Sequence, residues 1–401
     1  MGTISDTMNI LSLIDRDVAL FHDETRVYKD QMKAHISPCA FLVIGGAGSI
    51  GQAVVKELFK RNPKVLHVID INENNLVELV RDIRSSLGYI DGDFRTFVID
   101  YGSDIFSQFW KQTNYDYVFN LSALKHVRSE KDMFSLYRMF DVNVFHNHRI
   151  LTEFDVAHVK KMFCVSTDKA ANPANVMGAS KRLLELLLQS YSDTVPYSSA
   201  RFANVAFSDG SLLHGFEQRM KKRQPISAPS DVKRYFFTPE EAGLLCVFSA
   251  LFGENRDIYF PKLDETKNLI TFKDIAVRYI TAQGYDAYEC ASEEEARAQS
   301  SELIGQRKWP CFFFTSDTTG EKPYEEFFTP GETVDMTTYH DIGVVKNKQP
   351  ENSHDIQRFI YELKKRRDTM DVDKNELVSL LQQVIPEFEH EEKGKNLDQR
   401  M

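Results

Sequence analysis

The chain has 401 residues, of which 42% are hydrophobic and 27% charged, and its formal net charge at pH 7 is −10. This length exceeds the usual size of a single hydrophobic core, so we expect one large two-part unit or two domains. The acidic balance argues against nucleic acid, or an anionic membrane surface, as the main partner.

The cysteines and the lengths of the apolar runs indicate the cellular compartment of the protein. The five cysteines are scattered without a C-x-x-C pair, which is typical of proteins in a reducing compartment. No apolar run approaches the roughly 18 residues of a membrane-spanning helix, and the first residues lack the order of a signal peptide. We therefore expect a cytoplasmic protein. Motifs typical of metal sites are absent, so we expect no metal.

From Phe41 to about Arg201, short apolar strands alternate with amphipathic helical stretches. A glycine-rich stretch after the first strand opens a helix that runs from Gly48 to Lys60. This β-α-β-α order predicts an α/β fold, a Rossmann-type doubly wound parallel sheet with helices on both faces. The predicted strands are Phe41–Ile44, Val65–Asp70, Phe94–Ile99, Tyr117–Leu121, Met162–Ser166 and Tyr197–Phe202.

The rest of the chain differs in pattern. After about Phe207, glycines and prolines punctuate shorter elements, and the last stretch is highly charged with two amphipathic helical faces. We predict four segments: a helical extension (1–38), a NAD-binding Rossmann domain (39–206), a smaller substrate-binding part (207–345) and a charged helical tail (346–401). Both ends are expected to make oligomer contacts or to clamp the main domain.

The stretch from Gly45 to Gly51, with Ser49 and Ile50 opening the helix, predicts a dinucleotide site. Glycines let the backbone approach a pyrophosphate, and the helix N-terminus offers N–H groups and a positive dipole end. Asp70 ends the second strand, where a carboxylate accepts hydrogen bonds from ribose hydroxyls and repels a 2′-phosphate. NAD is thus favoured over NADP. The alternative is a tight turn with a helix-capping aspartate.

Two further strand ends belong to the predicted cofactor site. Asp100 and Tyr101 end the third strand, where we expect the adenine, and the fourth strand ends beside the cofactor. The predicted cofactor residues are Gly45, Gly48, Ser49, Ile50, Gly51, Asp70, Asp100, Tyr101, Leu121, Ser122 and Ala123.

The segment from Val165 to Arg182 begins at a strand end, where open α/β sheets bind ligands. Thr167 and Lys181 match the Thr and Lys of short-chain dehydrogenase/reductases, but Met177 replaces the tyrosine of their Tyr-x-x-x-Lys motif. With methionine in this position and the Thr-Asp-Lys triplet before it, the segment resembles that of the UDP-N-acetylglucosamine 4,6-dehydratases of bacillosamine, legionaminic-acid and capsule pathways. Other matching phrases are Lys125-His126-Val127, Arg201-Phe202-Ala203-Asn204-Val205, Asp209-Gly210-Ser211, Arg234-Tyr235-Phe236 and Gly320-Glu321-Lys322-Pro323-Tyr324-Glu325-Glu326.

The resemblance implies a reaction in which NAD takes a hydride from C4 of the hexose and returns it to C6 after water is lost across C5 and C6. Asp168 would be the acid for the C6 hydroxyl, and Lys169 the base for the C5 proton. Lys181 would bond the nicotinamide ribose, and Thr167 the C4 oxygen. Met177 transfers no proton, so either Asp168 or a water deprotonates the C4 hydroxyl. NAD would stay bound between turnovers.

The resemblance also implies substrate contacts and self-association. Arg234 matches the diphosphate-binding arginine of the family, and a guanidinium suits a phosphate. The substrate residues expected are Lys125, His126, Asn204, Ser211, Arg234 and Glu321. The arginine that precedes Glu321 in the family is absent here, which leaves GDP open beside UDP. Relatives associate through helices that flank the catalytic segment, so a homo-oligomer is expected.

Two other functions remain open from the sequence. The same fold supports a dehydratase that inverts C5 and a C4 epimerase of a nucleotide sugar. A chain that lost the tyrosine is also compatible with a non-catalytic NAD-binding regulator.

Overall fold

The computed structural model describes residues 7–263, 268–316, 325–348 and 352–390. In these ranges the strands are β1 (Ala40–Ile44), β2 (Val65–Asp70), β3 (Asp93–Val98), β4 (Tyr117–Asn120), β5 (Lys161–Val165), β6 (Tyr197–Ala200), β7 (Asn204–Val205), β8 (Ile226–Pro229), β9 (Lys233–Phe237), β10 (Asp257–Pro261), β11 (Leu269–Thr271), β12 (Asp286–Glu289), β13 (Lys308–Phe314), β14 (Val334–Asp335) and β15 (Ile342–Lys346). The observed ends of β1 to β6 lie within two residues of the predicted ones.

The main sheet has nine strands in the order β14-β15-β10-β6-β5-β4-β1-β2-β3. Strands β1 to β6 and β10 are parallel, and β15 and β14 are added antiparallel at one edge. The order reverses between β1 and β4, which is where ligands bind in open parallel sheets. The predicted Rossmann-type doubly wound fold is therefore confirmed.

Helices cover both faces of this sheet. Those of the described residues are α1 (Thr7–Leu13), α2 (His22–Val27), α3 (Lys29–Ile36), α4 (Ser49–Phe59), α5 (Glu73–Ser86), α6 (Asp104–Trp110), α7 (Met133–Phe140), α8 (His146–Glu153), α9 (Val176–Ser190), α10 (Leu212–Lys221), α11 (Pro239–Phe252), α12 (Phe272–Ala282), α13 (Glu293–Ala298), α14 (Ser300–Gly305), α15 (Ser353–Thr369) and α16 (Lys374–Val384). One core lies between the sheet and α6 to α9, and the other between the sheet and α3, α4, α5 and α11. No helix among the described residues is long and apolar enough to cross a membrane.

The segment 207–345, predicted as a substrate-binding part, is divided between two places. Strands β10, β14 and β15 and helix α11 extend the main sheet and its cover. The other strands of this segment, together with β7 just before it, form two small sheets, β11-β9-β7 and β12-β13-β8, which pack on a separate hydrophobic cluster. A strand pattern alone does not say which sheet a strand joins, since that depends on long-range pairing.

The predicted tail folds back on the main domain. Apolar residues of α15 and α16, among them Ile360 and Leu381, are buried in the same core as α9. The tail also donates a hydrogen bond from Gln357 Nε2 to the carbonyl of Ser190 at 2.8 Å. These helices therefore pack on the face of α9. Because α9 is one of the helices through which self-association is expected, the oligomeric state stays a prediction.

Candidate active site

The glycine turn connects β1 to α4 as the sequence predicts. Gly45 has a φ of +72°, and a Cβ at this position would lie 2.7 Å from the backbone nitrogen of Ser122. A Cβ at Gly51 would lie 2.2 Å from the carbonyl oxygen of Gly45. Glycine is therefore required at both positions, because any side chain would push the turn apart. Gly48, by contrast, precedes the first turn of α4, and a Cβ there would make only an ordinary contact, 3.6 Å from the carbonyl oxygen of Gly45.

Asp70 and the residues after β4 lie beside this turn. Asp70 Oδ2 accepts a hydrogen bond from the backbone N–H of Ala47 at 3.0 Å, so the carboxylate is fixed against the turn. The backbone of Leu121 hydrogen-bonds to Ile44 at 2.9 Å, and it leads into Ser122 and Ala123. These predicted cofactor residues are thus brought together at the carboxyl edge of the sheet.

Asp100 and Tyr101 have different surroundings. Asp100 is partly exposed and pairs with Arg138 Nη2 at 3.3 Å. The side chain of Tyr101 is buried, its hydroxyl donates to the carbonyl of Val142, and its ring packs edge-on to His146. Its ring is therefore part of the core, and its contact with the adenine stays a prediction.

The turn after β5 carries the predicted acid–base pair. Thr167 Oγ1 donates a hydrogen bond to Asp168 Oδ1 at 2.7 Å, and Lys169 Nζ lies 3.5 Å from the same oxygen. The Asp168 side chain is 5% exposed, whereas that of Lys169 is 34% exposed. A hydroxyl and an amine therefore both approach one carboxyl oxygen, Asp168 Oδ1, at the carboxyl end of the sheet.

Helix α9 starts against this turn. Asn175 caps it by accepting a hydrogen bond from the backbone N–H of Gly178 at 2.8 Å. Met177 is buried, and its backbone N–H donates to Glu130 Oε1 at 2.9 Å. One turn later, the buried Lys181 amine donates to the carbonyl of Val165 at 3.1 Å, and burial lowers its pKa to about 8. The chain thus places Met177 and Lys181 on the helix that flanks the acid–base pair.

A second group of predicted residues lies where the loop before α10 meets the end of β4. Lys125 Nζ donates to Ser208 Oγ at 3.3 Å, and His126 lies so close to Gly210 that a Cβ there would be 2.8 Å from its Nε2. Ser211 caps α10 by accepting from the backbone N–H of His214 at 3.2 Å. The same loop contacts the residue that follows the glycine turn, because the backbone N–H of Asp209 donates a hydrogen bond to Ser49 Oγ at 2.9 Å.

The third group contains Asn204, Arg234 and a residue that sequence reasoning missed. Asn204 Nδ2 donates to Glu325 Oε1 at 2.8 Å, and Arg234 Nε lies 3.6 Å from that oxygen. Burial, with a smaller contribution from the nearby Asp168 carboxylate, raises the pKa of Glu325 to about 7. The predicted Glu321 lies outside the described residues.

Asn143 is the other residue that the sequence did not single out. It lies in a π-helical turn between α7 and α8, fully buried, and donates to Ser180 Oγ at 2.9 Å. Its amide also bonds both the N–H and the carbonyl of Leu124 at 3.0 Å. Asn143 therefore ties the segment after β4 to α9. Single-turn π-helices inside helices are frequent at functional sites, but no sequence pattern marked this one.

The residues of the glycine turn fit a dinucleotide. The first-turn N–H groups of a helix lack intrahelical partners, and those of α4 follow Gly48 directly. Asp70 supplies a carboxylate one strand away, and the predicted acid–base pair lies at the same edge of the sheet. Among the described residues, no group of His, Cys, Asp and Glu side chains is arranged to hold a metal ion.

Several known proteins are similar to the chain in sequence. An uncharacterized membrane protein of Methanocaldococcus jannaschii is 30% identical over 81% of this chain and 89% of its own length. The probable polysaccharide biosynthesis protein EpsC of Bacillus subtilis is 26% identical over 73% of this chain, which spans only 45% of EpsC. A UDP-glucose 4-epimerase of Rickettsia bellii is 26% identical over 73% of this chain and 86% of the epimerase.

The X-ray structure of Pen from Bacillus thuringiensis has the same fold, with a TM-score of 0.61 and 22% identity over 82% of this chain and 98% of Pen. The family model described as polysaccharide biosynthesis protein matches residues 41–347. This match begins at β1, ends just after β15 and includes every described residue of the three groups above. The chain therefore belongs to the polysaccharide biosynthesis protein family.

Proposed function

We propose that the protein is a NAD-dependent 4,6-dehydratase of UDP-N-acetylglucosamine, a lyase that yields the UDP-4-keto-6-deoxy sugar. The observation that carries the proposal is the cluster of Thr167, Asp168 and Lys169 around one buried carboxylate oxygen. The glycine turn, which fits NAD, lies two strands away at the same sheet edge. Bound NAD would supply the hydride acceptor that oxidation at C4 requires.

The hydrogen bond between Thr167 and Asp168 supports a route for the C4 proton without a tyrosine. We infer that Thr167 passes the proton of the C4 hydroxyl to Asp168, because its own hydroxyl already donates to that carboxylate. Asp168 then carries a proton and donates it to the C6 hydroxyl, which leaves as water. Lys169 removes the C5 proton and returns it, so all protons balance. General acid–base catalysis of this kind contributes about 10² to 10⁴ in rate.

The substrate would extend from this pair toward Arg234. A guanidinium binds a diphosphate through paired hydrogen bonds, and Asn204 and Arg234 lie on neighbouring strands β7 and β9. The similarity to a UDP-glucose 4-epimerase supports a nucleotide sugar as substrate and keeps C4 epimerisation as the second candidate. Epimerisation needs no acid at C6, whereas Asp168 and Lys169 supply the acid and base that loss of water demands.

The test is incubation of the purified protein with UDP-N-acetylglucosamine, followed by mass spectrometry and by proton NMR in D₂O. We expect loss of one water with C5 configuration retained, and NAD already bound to the protein as purified. Thr167→Val should lower kcat by roughly 10²-fold, whereas Thr167→Ser should restore most of it, since only the hydroxyl matters. Lys221→Ala, on the far end of α10, serves as a control that keeps full activity.

Three outcomes would contradict parts of this proposal. A product of unchanged mass with inverted C4 would make the protein an epimerase, and inverted C5 would assign it to the inverting dehydratases. No turnover of the UDP or the GDP sugar, with NAD bound, would favour a non-catalytic NAD-binding regulator.

A further inference from the structure

Glu325 connects the acid–base pair to the predicted substrate contacts. Its side chain is 3% exposed, and its Oε1 accepts a hydrogen bond from Asn204 and lies 3.6 Å from Arg234 Nε. The other oxygen, Oε2, is buried and has no hydrogen-bond partner among the described residues. A buried carboxylate oxygen without a hydrogen-bond partner is unfavourable, and more so when the group is charged. This environment therefore disfavours the ionised form.

The charges around Glu325 come from two elements. Asp168 and Lys169 face it from the turn after β5, and Arg234 faces it from β9, while Asn204 on β7 is neutral. Burial is the main cause that raises the pKa of Glu325 to about 7, Asp168 adds to it, and Arg234 and Lys169 oppose it. The balance keeps the pKa of Glu325 well above that of an ordinary carboxyl, so that its neutral form is accessible near neutral pH.

A bound diphosphate would change this balance in one direction. It brings two negative charges to Arg234 and engages the guanidinium that otherwise favours an ionised Glu325. The same negative charges repel an ionised Glu325 directly. Both effects favour the neutral carboxyl, which still accepts from Asn204 through Oε1.

We propose that Glu325 takes up one proton from solvent when a nucleotide sugar binds through its diphosphate at Arg234, so that this substrate binds more tightly at acidic than at alkaline pH. The inference rests on the proposed function, because it takes Arg234 as the diphosphate ligand. Glu325 acts here as a positioning residue, since it touches the residues that hold the substrate. The chemistry requires only a proton and solvent.

The experiment measures binding of UDP-xylose to the protein as purified, by calorimetry at pH 6, 7 and 8 in buffers of different ionisation enthalpy. Xylose lacks C6 and cannot lose the C6 hydroxyl, and the sugar-linked diphosphate keeps its charge throughout this range. If UDP-xylose binds only to protein in which Glu325 is protonated, its affinity should fall about tenfold from pH 6 to pH 8, because the protonated fraction of Glu325 falls by that factor. Net proton uptake should accompany binding at pH 7 and 8.

Glu325→Gln should bind with nearly the same affinity at pH 6 and pH 8 and without proton uptake, because a neutral amide replaces the carboxyl. Glu326→Gln is the matched control: this neighbouring carboxylate accepts from Asn172 Nδ2 at 2.8 Å and should keep the pH dependence. Equal pH dependence in Glu325→Gln and wild type would overturn the inference while the proposed function stands. So would binding by the wild type without proton uptake, a measurement that needs no variant. Absence of UDP-xylose binding at every pH would overturn the inference, and the incubation with UDP-N-acetylglucosamine decides separately on the proposed function.

Discussion

Gly178 lies in the first turn of α9, where the helix passes the turn that carries the proposed acid–base pair, Asp168 and Lys169. A Cβ at this position would lie 2.5 Å from the carbonyl oxygen of Lys169, which is a backbone atom and has little freedom to move. Glycine therefore allows α9, with Met177 and Lys181, to start close to Asp168. The close approach is a matter of backbone packing and not of backbone φ.

Gly178→Ala should therefore lower the free energy of unfolding by about 1–3 kcal/mol and reduce activity, because the helix must move away from Lys169. Gly215→Ala is the matched control, since Gly215 lies in α10 and a Cβ there would meet nothing within 4 Å. That substitution should be neutral or stabilise by about 0.5–1 kcal/mol. Urea unfolding of both variants measures the difference; equal effects would contradict the role given to Gly178.

The residues that sequence predicted at this scale are those in short, local patterns. Thr167, Asp168 and Lys169 are consecutive, and a strand end places them together without knowledge of the rest of the fold. Glu325 was not predicted as a site residue, because its contacts with Asn204 and Arg234 span 121 and 91 positions. No local spacing reports such a contact.

Helices α15 and α16 form one unit that covers α9. Leu381 is fully buried in the core that also contains residues of α7, α8 and α9. Arg182 of α9 donates to Glu387 at 2.9 Å, and the backbone N–H of Glu389 donates to the carbonyl of Pro173 at 3.1 Å. The C-terminal segment, through α16 and the residues after it, thus holds both α9 and the segment before α9.

Leu381→Ala should lower the free energy of unfolding by about 2–5 kcal/mol, because it leaves a cavity in this shared core. Leu380→Ala removes the same atoms from the neighbouring, half-buried position of α16 and should cost clearly less. Chemical denaturation with a probe of α9, such as hydrogen exchange of its amides, tells the two apart. If the losses were equal, α16 would not be part of the main core.

The amphipathic faces of the tail could be read from the sequence, but their partner could not. The spacing of Ile356, Ile360 and Leu363 predicts a helix with one apolar face, and α15 has this face. The same pattern fits a contact with another subunit or with the chain itself. Only the tertiary packing decides, and here it selects α9.

At the scale of the whole molecule, a buried network of charges joins parts that are distant in sequence. Arg201, which follows β6, pairs with Glu185 of α9 at 2.7 Å and with Glu332 at 2.8 Å. It also donates to the carbonyl of Phe327 at 2.9 Å, so it anchors the loop that carries Glu325. One guanidinium therefore links the sheet, α9 and this loop.

Burial alone would raise the pKa of Glu185, but the ion pair with Arg201 outweighs it and lowers the pKa from the ordinary 4.5 to about 2. Because the folded pKa is depressed, Glu185 contributes stability above about pH 4.5, and this contribution is lost as the pH falls toward 2. Glu185→Gln should be strongly destabilised at pH 6, since it leaves Arg201 with less compensating charge. The difference in the free energy of unfolding between this variant and wild type should be smaller at pH 3 than at pH 6, by roughly 2 kcal/mol.

Urea unfolding of both proteins at pH 6 and pH 3 measures this change in the difference between their free energies of unfolding. Glu376→Gln removes an exposed carboxylate that pairs with Arg366, and its difference from wild type should stay within about 0.5 kcal/mol at both pH values. A deficit for Glu185→Gln that is the same at both pH values would mean that the carboxylate acts by packing and not by charge. Since Arg201 also anchors the loop of Glu325, the network links the acid stability of the fold to the order of the candidate active site.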